Sequence, residues 1–257
     1  MNRIDNLFKN KPSDVLTIYF TAGYPNLNDT ENIIVDLAKA GVDLLEIGMP
    51  YSDPLADGPV FQASSTAALK NGMNLDLLFE QLKDIRSKTQ VPLVLMGYYN
   101  QVLQYGLELF CKKASEVGVD GLILPDLPVD EFNELCVPIF KRYGLTCTFL
   151  VTPSSTDERI REIDAASSGF LYAVSSHSIT GGDSANNLSE YGSRLAALSL
   201  KNPIQVGFGI HDAKSFQEAT AIANGGIIGS AFIKAISEEG ELDNNICSFI
   251  QSIRSKE

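Results

Sequence analysis

From Val15 onward, short runs of β-branched or aromatic residues alternate with amphipathic stretches of helical length. The alternation predicts eight strands: Leu16–Phe20, Val42–Ile47, Leu93–Gly97, Gly121–Leu124, Thr146–Val151, Phe170–Val174, Ile204–Gly207 and Ile227–Gly229. Between them it predicts helices over Asp29–Ala40, Leu75–Lys88, Leu103–Glu116, Asp130–Tyr143, Asp157–Ser167, Ser189–Leu200 and Ala213–Ala223. A weak echo accompanies the repeat: Ala40-Gly41-Val42-Asp43, Val117-Gly118-Val119-Asp120 and Ala223-Asn224-Gly225-Gly226 each precede a strand. In each, glycine stands where a helix end calls for a left-handed residue. Eight βα units in 257 residues fit an α/β chain folded as a single (β/α)8 barrel, also called a TIM barrel, rather than a doubly wound sheet. No Pro/Ser-rich linker divides the chain, so residues 1–257 read as one domain.

Two loops exceed the bare repeat, and in such barrels the loops after the strands carry function. The loop after strand two runs from Gly48 through Gln62 into an extra helical piece ending at Lys70. The loop after strand six, Ser175 to Asn187, is a run of small and polar residues with no apolar face, which fits a mobile lid or a disordered surface insert.

Charge narrows the ligand classes. Thirty-two acids against 20 bases give a net charge of -12, and no Lys/Arg-rich tract offsets it, which disfavours nucleic acid and anionic membranes. An anionic substrate therefore needs a local device. No segment has the uninterrupted apolar length of a membrane span, and the first residues lack the apolar core of a signal peptide, so a cytoplasmic location is expected. Cys111, Cys136, Cys147 and Cys247 show no CxxC spacing and read as reduced, mostly buried thiols. The only histidines, His177 and His211, have no ligand cluster near them, so no metal is expected.

Glu46 follows Leu44 by two and shares its strand face, at the end of the strand where barrel active sites are built. An apolar setting there would raise its pKa and let it move protons near neutral pH. Asp57, between Ala56 and Gly58 on the following loop, is more solvated and suited to remain ionised. The competing reading makes Glu46 a buried structural group and the aspartates, Asp53 included, turn formers. Gly207-Phe208-Gly209 after strand seven and Gly229-Ser230 before a short helix occupy the usual phosphate position of the fold, with Ser230 adding a hydroxyl donor. No lysine sits at a strand's C-terminal end, and no dinucleotide fingerprint or P-loop occurs, so the substrate must supply its own electron sink. Tyr19, Phe20, Tyr98, Tyr99, Ile123, Pro125, Tyr172 and Phe208 gather at the same rim and suit a flat hydrophobic head.

The stretch Glu46-Ile-Gly-Met-Pro-Tyr-Ser-Asp-Pro-Leu-Ala-Asp57-Gly-Pro, with Thr21-Ala-Gly-Tyr-Pro25, Pro125-Asp-Leu-Pro128, Gly207-Phe-Gly-Ile210 and Gly229-Ser230, resembles the tryptophan synthase α subunit family from end to end. The resemblance implies retro-aldol cleavage of indole-3-glycerol phosphate to indole and glyceraldehyde 3-phosphate, without a cofactor, beside a β subunit in an α2β2 assembly. It makes Glu46 the general acid/base and Asp57 the partner of the indole N–H. Gly181, Gly209, Gly229 and Ser230 would hold the phosphate; Ile123, Tyr172 and Phe208 would line the indole pocket, with Tyr19 of the aromatic rim beside them as a further substrate-binding candidate, and Thr180 would close over Asp57. Members commonly read Gly-Val-Thr-Gly in the lid, often after an arginine; this chain has Ser178-Ile179-Thr180-Gly181, with Ser176 at the arginine's place. Met49-Pro50, Asp53-Pro54 and Tyr98-Tyr99-Asn100 match regions the family uses at or near the β contact. Two alternatives stand beside the lyase: another cofactor-free phosphosugar barrel enzyme, and a non-catalytic subunit that only activates its partner.

Overall fold

The computed structural model describes residues 2–54, 57–174, 184–207 and 209–255, with residues 184–187 described through their backbone alone. Its strands are β1 Val15–Thr21, β2 Leu44–Gly48, β3 Leu93–Met96, β4 Gly121–Ile123, β5 Thr146–Thr148, β6 Leu150–Val151, β7 Leu171–Val174, β8 Ile204–Gly207 and β9 Gly225–Ile228. All neighbours pair in parallel, in the order β5-β4-β3-β2-β1-β9-β8-β7-β6. The two edges of this sheet, β5 and β6, are separated along the chain only by Phe149, so the ring closes through one residue. With helices between the strands, this is the expected (β/α)8 barrel.

Strand alternation sorts the side chains into two cores. Leu44, Val94, Ile123, Phe170, Tyr172 and Ile227 point into the barrel, whereas Leu45, Ile47, Leu95, Leu122, Leu171 and Ile228 pack against the helices. Glu46 takes the inward side with Leu44, and its β1 neighbour in register is Tyr19.

The N-terminal end of the barrel is plugged and clamped. Helix Arg3–Asn10, not predicted from sequence, places Ile4 and Phe8 into the inner cluster against Val15 and Phe170. Arg3 and Arg86 reach the two oxygens of Asp120 at 3.0 and 2.8 Å, and Leu93 N–H donates to it at 2.9 Å. Asp43 receives Lys11 at 2.6 Å, Arg254 at 2.7 Å and the Leu16 N–H at 2.8 Å, tying the first strand to helix Leu242–Arg254.

Several boundaries differ from expectation for local reasons. The helix expected over 103–116 is two, Tyr99–Tyr105 and Leu107–Glu116, because Gly106 adopts φ +91°. Ser184–Asn187, expected as loop, begins helix Ser184–Ala197. The echo of glycine helix stops holds at Gly41 (φ +85°) and Gly118 (φ +84°) and fails at Gly225. Gly225 starts a strand, and a Cβ there would meet the Val15 carbonyl oxygen at 2.4 Å; close approach of β1, not a left-handed turn, requires glycine. Cys111, Cys136 and Cys147 are buried as expected, while Cys247 is exposed. Among the described residues no helix is long and apolar enough to cross a membrane.

Candidate active site

A cavity of about 510 Å3 opens at the C-terminal end of the strands. Its floor is the top layer of inward residues: Tyr19 from β1, Glu46 from β2, Met96 from β3, Tyr172 from β7 and Ile227 from β9. Glycines make room for this layer. A Cβ on Gly48 would lie 2.0 Å from the Tyr19 hydroxyl, and one on Gly207 would lie 2.2 Å from that of Tyr172. The two rings therefore stand where their strands' neighbours have no side chain.

Glu46 is 1% exposed, and its Oε2 has no hydrogen-bond partner among the described residues. Burial, and secondarily the charge of Asp57, push its pKa up from 4.5 to about 8. The Tyr19 and Tyr172 hydroxyls are held well above the usual phenol range, chiefly by burial, and stay protonated. A buried carboxyl with its pKa raised in this way, lining the cavity, is suited to donate a proton to a ligand near neutral pH.

Asp57 lies across the cavity on the loop after β2. The loop is braced: Asp57 N–H donates to the Pro54 carbonyl at 3.1 Å, and Gln62 Nε2 donates to the Asp57 carbonyl at 2.8 Å. Gly58 and Pro59 then start helix Pro59–Lys70, with proline at a position where its missing N–H costs nothing. The Asp57 carboxyl is raised by burial, opposed by a hydrogen bond from Tyr98. Tyr98 stacks on Tyr51 with ring centroids 4.9 Å apart, so the Asp57 contact belongs to an aromatic pair at the rim.

At the opposite wall, Gly209, Gly229 and Ser230 line the same cavity, with Ser230 opening helix Ser230–Ala235. Tyr19, Glu46, Asp57, Tyr172, Gly209, Gly229 and Ser230 are thus brought together as expected from the sequence. Ile123, expected with them, is fully buried in the inner cluster and is not among the residues lining the cavity, whereas Met96 and Pro125 are. Thr180, Gly181 and Phe208, and residues 175–183 of the lid expected over 175–187, lie outside the described residues. Asp53 is exposed, accepts from its neighbour Ser52 at 2.8 Å and is not on the wall.

Sequence reasoning missed Phe61, Ser65, Met49, Lys234 and His211 on the wall. Phe61 was legible: Phe61, Ser64, Ser65 and Ala68 make a helical stripe whose small members are buried, so the one bulky member must meet something at its end. It meets Tyr19 edge-on at 4.6 Å.

The family profile described as tryptophan synthase alpha chain matches residues 6–255. The chain belongs to the tryptophan synthase alpha chain family. A relative of that name from Christiangramia forsetii is 55% identical over 257 residues, covering 99% of each chain. The crystal structure of a tryptophan synthase alpha chain from Legionella pneumophila superposes with a TM-score of 0.89 at 33% identity, covering 99% of this chain and 96% of that one. A tryptophan synthase complex from Pyrococcus furiosus gives 0.83 at 34% identity over 94% and 98%. The reaction of tryptophan synthase alpha chains is the lyase cleavage of indole-3-glycerol phosphate, and it belongs to tryptophan biosynthesis.

Proposed function

We propose that this chain performs the family's cleavage with Glu46 as the proton-transfer group and Asp57 as the anchor of the indole ring. The observation that carries the assignment is the buried Glu46 carboxyl, with an unpartnered Oε2 at the floor of the cavity and a pKa raised to about 8. In its acid form Glu46 delivers a proton to indole C3, and the ring becomes an iminium-like electron sink. The glyceryl hydroxyl next to C3 then loses its proton to the carboxylate just formed. The C–C electron pair returns to the ring, leaving indole with the new hydrogen at C3 and glyceraldehyde 3-phosphate as the aldehyde. No cofactor is required, since the substrate holds the electrons. Asp57 accepts the indole N–H and stabilises the positive charge that protonation creates. Gly209, Gly229 and Ser230 bind the phosphate, joined by Gly181; Phe208 lines the indole pocket, and Thr180 closes the lid over Asp57.

The partner is a β subunit in an α2β2 assembly, and the reaction runs in the cytoplasm. Support comes from the rim: Ser52, Asp53 and Asn100 are exposed, and Asn100 Nδ2 donates to the Tyr51 hydroxyl at 3.2 Å. Leu103 at 47% and Leu135 at 57% exposure add apolar surface on the helices that follow β3 and β4. Met49 and Pro50 are buried, so within that stretch the contact falls to Tyr51–Pro54.

The test is indole release from indole-3-glycerol phosphate by this chain, with and without its β subunit. Release in either condition, lost by at least ~100-fold in Glu46→Gln and in Asp57→Asn, is expected. Product in neither condition would favour a subunit that only activates its partner. Near-normal turnover in either variant would overturn the roles.

A further inference from the structure

The cavity wall beyond Ser230 is charged, and the phosphate reading leaves that charge unused. Lys234 and Glu238 both line the cavity, at four-residue steps from Ser230. Helical side chains lean toward the N-terminus of their own helix, so the Lys234 stem, on helix Ser230–Ala235, runs back toward Ser230. Across the opening stands His211, whose Nδ1 is 2.8 Å from the Gly209 carbonyl oxygen and whose Nε2 is 3.5 Å from Asp212.

The charge on this wall matters because of the rest of the chain. The protein carries a net charge of -12, and the cavity holds the acids Glu46, Asp57 and Glu238. Lys234 is the one lysine or arginine among the described residues lining it. A substrate phosphate brings up to two negative charges into this field, and backbone N–H groups supply only partial ones. We propose that Lys234 is the charge-bearing determinant of phosphate affinity in this site, and that Glu238, one turn further out, opposes it. Lys234 is a substrate-binding group and takes no part in proton transfer, which is the work of Glu46 at the barrel floor. The proposal rests on the phosphate position assigned above.

Electrostatics and packing make different predictions here. An ammonium acting on a phosphate loses strength with salt and can be replaced by a guanidinium; a packing residue does neither. Lys234 is exposed, so its attraction is screened; Lys234→Gln should raise KM for indole-3-glycerol phosphate and Kd for glycerol 3-phosphate about threefold to fivefold, with kcat within about twofold. Kd for indole, which has no phosphate, should not move. Lys234→Arg should restore both constants. Glu238→Gln should shift them in the opposite direction, toward tighter binding, and the salt dependence of KM should flatten in Lys234→Gln. Unchanged Kd for glycerol 3-phosphate in Lys234→Gln, or equal weakening by Glu238→Gln, would overturn the proposal. If wild-type chain with its β subunit releases no indole, the function reading itself has failed; if it does and these variants match wild type, only the Lys234 assignment has.

Discussion

Replacing Glu46 by Gln should make the protein more stable, and increasingly so as pH rises. The Glu46 carboxyl ionises at about 8 in the folded chain against 4.5 for the free group. Below 4.5 both states hold the proton and nothing is lost. Between those values the unfolded chain releases the proton while the folded chain keeps it, so each pH unit costs the native state about 1.4 kcal/mol. Above 8 the folded chain ionises too and the penalty levels off. Water entering the open cavity relaxes around the charge, so the full penalty is discounted to about 3 kcal/mol gained between pH 5 and pH 8. Gln keeps the shape and cannot ionise, and any fixed effect of its amide is the same at every pH. Urea unfolding of wild type and Glu46→Gln at pH 5, 7 and 8 measures the widening gap directly. A gap that stays constant, or narrows as pH rises, would refute the account of Glu46 as a carboxyl held protonated by burial.

Other consequences can be checked singly. With Glu46 in the proposed role of proton donor, indole release by the wild type should fall as pH rises through about 8, and stopped assays across pH 6 to 9.5 read that limb. In Asp57→Asn the Glu46 titration, followed by carbon NMR of labelled glutamate, should move down while staying well above 4.5, since burial is the larger cause. Gly48→Ala forces a Cβ to within 2.0 Å of the Tyr19 hydroxyl, and should cost about 1–3 kcal/mol in urea unfolding. Adding Tyr19→Phe should recover part of that loss, which a strand-propensity effect would not permit. Asp120→Asn breaks a buried clamp shared by Arg3 and Arg86; a loss of roughly 3 kcal/mol or more in stability is expected, with kcat of the folded protein unchanged.

The barrel was legible because its signal is periodic and repeated. Leu44 and Glu46 share a face by strand geometry alone, and the structure puts both inside the ring. What escaped was whatever depends on a partner distant in sequence. Helix Arg3–Asn10 belongs to no βα unit, and the reason to form it is the open end of a ring whose other residues lie far along the chain. Gly225 looked like Gly41 and Gly118 because a residue's neighbours in sequence do not reveal which strand crosses it. Ile123 has an inward side chain, but depth along the barrel axis decides between core and cavity wall, and the strand pattern carries no depth. Lys234 was passed over because a lone lysine on a short helix is ordinary until the cavity places it among carboxylates.

Two buried acids separate stability from chemistry in this fold. Asp120 is 3% exposed and Glu46 is 1%, and each adjoins or occupies a strand of the same ring. In composition and hydropathy pattern they are alike. Their partners are not. Asp120, at the plugged end, has Arg3 on one oxygen and Arg86 with the Leu93 N–H on the other, so its charge is answered by fixed donors. Glu46, at the open end, leaves Oε2 without a partner among the described residues and faces the charge of Asp57. A buried carboxylate met by two guanidiniums is fixed in place, which suits a clamp. A buried acid denied donors retains its proton until a ligand arrives to take it, and the native state is less stable for that arrangement. On the role proposed for Glu46, filling that deficit by substitution should raise stability and abolish turnover together.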